Sequence, residues 1–231
     1  AAFTATATPE VRQDIIRRLD IPGASIVCTG FDRPNLHFAV QRTRDKDRSL
    51  LEFLRKHDKQ CGVIYCATRS KVESVTQQLQ RHGFKALRYH AGLTPEERRN
   101  NQNAFVGGLV PLIVATNAFG MGIDKADVRF VVHYNMPKDV ESYYQEAGRA
   151  GRDGLESECL LLYDKADIAV NTYLIGHDQP DLVWKAHEMD LLQKMTFYCN
   201  TSGCLRRVLL EYFGEKAPAK CNHCGNCDAN K

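Results

Sequence analysis

Two arginines, Arg149 and Arg152, stand three residues apart in the run YYQEAGRAGRDG, Tyr143 to Gly154, just after the polar pair Gln145 and Glu146 on a segment that reads as a helix. A guanidinium presents a planar fork of N–H donors that suits phosphate oxygens, and the surrounding glycines let another surface come close. The chemistry this spacing offers is recognition of a phosphate. Two solvated arginines at a helix end would show the same spacing, so the rest of the chain has to decide between the readings.

The cysteines form a second constellation. Of nine, Cys28, Cys61, Cys66 and Cys159 are scattered singly, while Cys199, Cys204, Cys221, Cys224 and Cys227 crowd the end. With no secretory signal at the start, a metal site explains that crowding better than disulfides. Cys221-x2-Cys224-x2-Cys227 supplies three thiolates, and a structural zinc ion takes four tetrahedral donors. Cys204, upstream near the start of a helix, is the preferred fourth ligand, with Cys199 and His223 as competitors. His223 would be cramped inside the Cys221–Cys224 knuckle. Unligated exposed thiols oxidise readily, which disfavours a tail of four free cysteines.

Three loops that follow apolar strands carry further candidates. Thr68, Arg69 and Ser70 sit where the strand GVIYCA meets a helix, a natural phosphate position, although helix capping alone would account for Thr68 or Ser70. YHAGL, Tyr89 to Leu93, sets an imidazole beside a glycine turn, where a histidine is more often structural than catalytic. ATNAFGMGID, Ala115 to Asp124, combines Thr116 and Asn117 with two glycines, Gly120 and Gly122, and with Asp124, whose carboxylate can accept from a ribose hydroxyl. Backbone amides and a hydroxyl of this kind cradle a nucleic-acid backbone without reading its bases. There is no GxxxxGK[ST] run and no paired Asp-Glu box for magnesium in the sequence, so the chain by itself is not expected to hydrolyse a nucleotide.

The elements that must position these residues alternate. Strands are expected at Ser25 to Thr29, Leu36 to Thr43, Gly62 to Ala67, Lys85 to Tyr89, Pro111 to Ala115, Arg129 to His133 and Glu158 to Tyr163. Helices are expected from Thr8-Pro9 onward and at Leu50 to His57, Lys71 to Arg81, Thr94 to about Val106 and Val140 to Ala147. Short apolar strands separated by helices imply a parallel sheet covered on both faces, with ligands at the carboxyl ends of the strands. From Lys165 onward only helices are expected, at Ala166 to Leu174, Leu182 to Phe197 and Leu205 to Tyr212, before the cysteine-rich tail. The 231 residues are 43% hydrophobic and 26% charged, ordinary for a soluble globular protein, and the net charge of +3 permits a nucleic-acid partner without demanding one. No apolar run is long enough to span a bilayer.

FTATATPEV, VIYCATRSKVE, YHAGL, ATNAFGMGIDKADVRFVVHYNMP and YYQEAGRAGRDG, in that order, resemble the third to sixth motifs of superfamily 2 helicases in the form used by RecQ-type DNA helicases. The resemblance covers nearly the whole chain. It implies an α/β fold, a RecA-like parallel sheet with helices on both faces, followed by a small helical zinc-binding subdomain. Residues 1–24 would be the end of a first RecA-like lobe and a linker, 25–164 the second lobe, and 165–231 the zinc subdomain. ATP and magnesium would lie in a cleft shared with the first lobe, Arg152 would be the arginine finger supported by Arg149 and Gln145, and Gly122 and Asp124 would face the nucleotide. Thr68, Arg69, Thr116 and Asn117 would track single-stranded DNA. The segment CLRRVLLEYFGE matches the family's zinc region and points to Cys204 as the fourth ligand of a structural zinc.

The resemblance further implies a monomer that unwinds duplex DNA, single strand and fork, with 3′–5′ polarity in repair and recombination. Its compartment would be the bacterial cytosol or the nucleus, with no membrane partner. A nucleic-acid-binding or protein-interaction module without ATPase activity is the rival reading, and half of an RNA helicase a weaker one.

Overall fold

The computed structural model describes residues 2–4, 6–120, 125–178 and 181–229. Among the described residues, six strands form one parallel sheet: β1 (Leu36–Arg42), β2 (Gly62–Tyr65), β3 (Ala86–Tyr89), β4 (Leu112–Ala115), β5 (Phe130–His133) and β6 (Ser157–Tyr163), in the order β1-β6-β5-β2-β4-β3. Parallel neighbours need a crossover, because the chain must return to the starting edge before the next strand. Helices α2 (Lys46–Lys56), α3 (Arg69–Arg81), α4 (Pro95–Val106) and α5 (Val140–Ala147) make those returns, after a separate first helix, α1 (Pro9–Arg18). Their starts are written locally. The side chains of Thr8, Thr68, Thr94 and Asp139 accept from the backbone N–H of Val11, Lys71, Glu97 and Ser142, and proline occupies the first turn of α1 and α4.

Alternation along the strands sends side chains to two cores. Ile64, Val114, Val132 and Leu162 meet Leu50 and Leu54 of α2 and Val72, Val75 and Leu79 of α3. Val63, Tyr65, Ile113, Val131 and Leu161 face the other way, toward Phe105 of α4 and Tyr143 and Ala147 of α5. Burial on both sides explains why these strands read as continuous apolar runs.

The remaining helices are α6 (Ala166–Asp178), α7 (Leu182–Asn200), α8 (Leu205–Tyr212) and α9 (Gly225–Asp228). They share the second core: Leu192, Met195 and Tyr198 of α7 and Leu205 and Leu209 of α8 pack into it, and the Tyr198 hydroxyl lies 3.3 Å from that of Tyr143. The backbone of Cys224 bridges to Phe38 and so covers the outer edge of β1, which would otherwise present unpaired backbone groups. Among the described residues, no helix is long and apolar enough to cross a membrane.

Four expectations are corrected. Residues Ser25 to Thr29 form no strand, and Ile26 and Val27 are exposed, since no sheet edge lies beside them to pair with. Helix α2 begins at Lys46, four residues before its first apolar position, because Asp45 caps it. Helix α3 begins at Arg69 for the same reason, with Thr68 as its cap. The one-turn α9 lies in the cysteine tail, where it is too short to show a hydrophobic period.

Candidate functional site

At the carboxyl ends of β2, β3 and β4 three loops lie side by side. The Thr68 hydroxyl accepts from the Lys71 N–H at 3.2 Å, so capping occupies one of its lone pairs, while Arg69 is exposed on the first turn of α3. His90 is fixed on both ring nitrogens: the Gly92 N–H donates to Nδ1 at 3.2 Å, which leaves Nε2 to donate to Glu73 at 2.8 Å. It braces the YHAGL turn. Burial opposes the Glu73 carboxylate, but Arg88 and His90 outweigh it and hold its pKa below the usual value. Thr116 is buried, with its hydroxyl 3.4 Å from the Ala118 N–H, whereas Asn117 is exposed. Of the candidate residues described at this edge, Arg69, Ser70 and Asn117 are exposed and Thr68 is half-buried. Beside them a cavity of about 320 Å³ is floored by Tyr65 and by His133, whose Nε2 pairs with Glu146 at 2.9 Å. No motif in the sequence singled out His133, because a histidine inside an apolar strand carries no local signal of a partner thirteen residues away.

The arginine segment lies at the opposite edge from the carboxyl ends, where ligands of such sheets are expected. Helix α5 runs back across the sheet, so the turn that follows it meets the residues just before β5. The Gly151 N–H donates to Val128 O at 2.8 Å, and Asp153 N–H to Ala126 O at 3.3 Å. Arg129 Nη2 lies 2.6 Å from an Asp153 carboxylate oxygen.

The two arginines differ sharply in environment. Arg149 is only 9% exposed, and its Nη1 donates to the carbonyl of Gly120 at 2.6 Å. A Cβ at Gly120 would fall 2.3 Å from Arg149 Nη2, so only glycine admits this approach. Tyr65, whose pKa burial drives upward, donates its hydroxyl to Phe119 O at 2.8 Å and fastens the same loop from the sheet side. Arg152 and Gln145 are exposed. Gly122 and Asp124 lie outside the described residues.

The cysteine expectation converges on one set. The sulfurs of Cys204, Cys221, Cys224 and Cys227 lie within 4.8 Å of one another, and the Cys221–Cys227 and Cys224–Cys204 pairs are each 4.0 Å apart. Tetrahedral zinc with bonds of about 2.3 Å to sulfur needs sulfurs about 3.8 Å apart, so the donor set fits that ion. Backbone N–H groups aim at the sulfurs as a thiolate requires: Arg207 to Cys204 at 3.5 Å and His223 to Cys221 at 3.4 Å. Burial pushes the Cys221 thiol up to about 12. At Cys227 burial acts in the same sense but is outweighed by the Asn222 backbone and the neighbouring thiols, which bring it down to about 7. Asn222 takes a φ of +55°, a left-handed conformation that asparagine tolerates, and so closes the knuckle. Cys199 is not among the gathered sulfurs but buried in the core, and the His223 ring lies 3.1 Å from Glu156.

The family model described as helicase conserved C-terminal domain matches residues 45–154, and RecQ zinc-binding matches 165–228. Over 226 residues, 98% of the chain, the sequence is 47% identical to the ATP-dependent DNA helicase RecQ of Bacillus subtilis, covering 38% of that protein. It is 40% identical over 232 residues to the ATP-dependent helicase SGS1 of Saccharomyces cerevisiae, covering 98% of the chain and 16% of that relative. Among solved structures, S. cerevisiae Dbp5 bound to RNA and ADP BeF3 superposes with a TM-score of 0.63 at 21% identity, over 84% of this chain and 54% of that one. That likeness gives the RecA-like fold. The chain thus spans less than two fifths of the length of the bacterial relative.

Proposed function

Because the chain belongs to the RecQ-type helicases, we propose that it works within an ATP-dependent DNA helicase, with residues 25–164 as the second RecA-like lobe and 165–231 as the zinc-binding subdomain. Residues 1–24 then form the end of a first lobe and the linker. ATP and magnesium bind between the lobes, and the first lobe supplies the phosphate-cradling loop that this sequence lacks. Alone, the chain hydrolyses no ATP.

Arg152 is the arginine finger in this reading. The observation that carries the reading is the separation of the two edges: an exposed arginine at the amino ends of the strands, and exposed Arg69 and Asn117 at the carboxyl ends. One rigid sheet can thereby answer a nucleotide at one edge and hold a single strand through Thr68, Arg69, Thr116 and Asn117 at the other. Arg149 supports the finger indirectly, by pinning the loop after β4 to the arginine turn, and Gln145 lies on the helix leading to it. Gly122 and Asp124 are assigned to the nucleotide side. Closure on ATP gives Arg152 a phosphate to bind, opening releases it, and the change of lobe spacing moves the strand across the other edge.

Cys204, Cys221, Cys224 and Cys227 hold a structural zinc, which ties α8 to the tail and closes the subdomain without an open coordination position.

The test is Arg152→Ala in the enzyme that includes the first lobe. DNA-stimulated ATPase is expected to fall about 10³-fold or more while single-strand affinity stays within about threefold. Near-normal ATPase would remove the assignment, and a full-length protein that binds DNA but never hydrolyses ATP would favour a passive binding module.

A further inference from the structure

The arginine turn is held by contacts that no part of the helicase reading uses. Arg33, in the segment between α1 and β1, lies across it: Nη1 donates to Gly148 O at 3.3 Å, and Nη2 to Ala150 O at 3.1 Å and Gly151 O at 3.0 Å. Asn35 adds bonds to Gly151 O at 2.8 Å and Leu155 O at 2.9 Å. Gly151 itself has a φ of +56°, and a Cβ there would lie 2.5 Å from Asn35 Nδ2, so the turn and its clamp are shaped to each other. A planar cation reaching three backbone carbonyls fixes a loop in a way that a single hydrogen bond cannot.

The clamp is in turn held by α8. Arg206 is 6% exposed, and its Nη1 donates to Asp32 Oδ1 and to Arg33 O, each at 2.6 Å, while Nη2 donates to Leu36 O and reaches Pro34 O at 3.4 Å. Phe31 stacks on Phe213 just past α8 with centroids 4.4 Å apart, its N–H donates to Glu215, and the Tyr144 hydroxyl of α5 donates to its carbonyl. Arg206 stands two residues after Cys204, the N-cap of α8 and one of the four gathered sulfurs. The contacts therefore run from the cysteine cluster to the first turn of α8, to the 31–36 segment and to the arginine turn.

We propose that Arg206 and Arg33 are positioning residues, a relay through which the cysteine-centred subdomain sets the conformation of the arginine turn and hence the rate of ATP hydrolysis. This rests on the reading of Arg152 as the finger. A misaimed finger costs transition-state stabilisation, so the loss falls on kcat rather than on substrate or DNA binding.

The experiment uses the full-length enzyme with Arg33→Lys, which keeps the charge but loses the fork, and Arg206→Met, each alone and combined with Arg152→Ala. For either variant kcat at saturating ATP and single-stranded DNA is expected to fall about tenfold or more, since small misplacements remote from the chemistry carry such costs. KM for ATP, DNA affinity and zinc content should stay within about threefold, and hydrogen exchange at the Gly151 and Asp153 amides should accelerate. On the Arg152→Ala background the same change should add less than about twofold, because residues acting through one group are non-additive. A kcat within twofold of the parent, a parallel fall in DNA affinity or zinc content, or fully additive losses would overturn the relay. Where Arg206→Met does not fold, the half-buried Arg33→Lys decides alone. Undiminished ATPase in Arg152→Ala by itself would refute the finger and, with it, the route by which the relay acts; additive losses refute the relay and leave the finger standing.

Discussion

The two ends of the parallel sheet are built on different principles. At the carboxyl ends, each loop has a short-range bond of its own, with Thr68 capping the helix it precedes, the Gly92 N–H closing onto His90 and the Thr116 hydroxyl meeting the Ala118 N–H, and longer ties such as Tyr65 to Phe119 O add to these. At the amino ends, the arginine turn has local bonds too, such as Ala150 N–H to Ala147 O and Gly154 N–H to Gly151 O, but it is also gripped from afar by Arg33, Asn35, Val128 and Ala126. A locally built loop keeps its shape when its neighbours move, whereas a turn held by remote segments reports on all of them. The contrast also separates Arg149 from Arg152, which three residues of sequence had made look like one device. The first fastens a loop, and the second faces outward.

In the full-length enzyme, Arg152→Ala should lower ATPase by about 10³ while costing less than about 1 kcal/mol of unfolding stability; a much larger loss of stability would mean that the exposed arginine is structural after all. Gly151→Ala forces a side chain into a left-handed site already filled by Asn35, Leu155 O and Ser157. It is expected to cost about 2–3 kcal/mol in denaturant unfolding. Arg149→Met removes a buried charge-assisted bond to Gly120 and should cost about 2 kcal/mol of stability, with ATPase loss following from the freed loop. An Arg149 variant that is as stable as the parent but dead in ATPase would reverse the roles assigned here.

At the other edge the effects are smaller. Arg69→Ala should weaken single-strand binding by about 1 kcal/mol and lower the salt slope by about 1, with kcat at saturating DNA preserved. An unchanged salt slope would move the DNA path away from α3.

The smallest effect concerns the pair that ties α2 to β6, His57 Nε2 to Glu158 at 3.1 Å. Glu158 raises the His57 pKa, and His57 lowers that of Glu158. The histidine's contribution is present below its unfolded value and is lost as pH rises through the raised one. The glutamate's is present above its unfolded value and is lost as pH falls through the lowered one. The stability advantage over Glu158→Gln should thus be largest between the ordinary values of 4.5 and 6.5 and fade on either side. Glu158 is nearly half exposed, so the gap in thermal unfolding should stay below about 1 kcal/mol. A gap that is flat with pH would show that the pair is not ionic.

Much of the fold was legible because its signals are local. Thr8-Pro9 and Thr94-Pro95 mark helix starts, apolar runs such as GVIY and LIVA mark strands buried on both faces, and the bounds of α5 and α8 follow their periodicity. The segment Ser25 to Thr29 misled for the complementary reason: its β-branched residues fit a strand, but a strand exists only beside a partner. The one-turn α9 and the early start of α2 depend on caps and tail contacts that carry no period.

By itself the sequence determined the alternation of strand and helix, the residue types able to hold phosphate, and three of the four gathered cysteines by their spacing. Cys204 was one candidate among three there, and tertiary structure chose it by bringing its sulfur to the cluster while leaving Cys199 in the core. Tertiary structure alone decided that the arginine turn lies at the amino ends, that Arg149 is buried and Arg152 exposed, and that α8 grips the segment behind the turn. The physical reason is separation along the chain. A cap or a period joins residues a few positions apart and is written in their order. Arg206 and Arg33, or Arg33 and Gly151, are more than a hundred positions apart, and only folding gives them a common address.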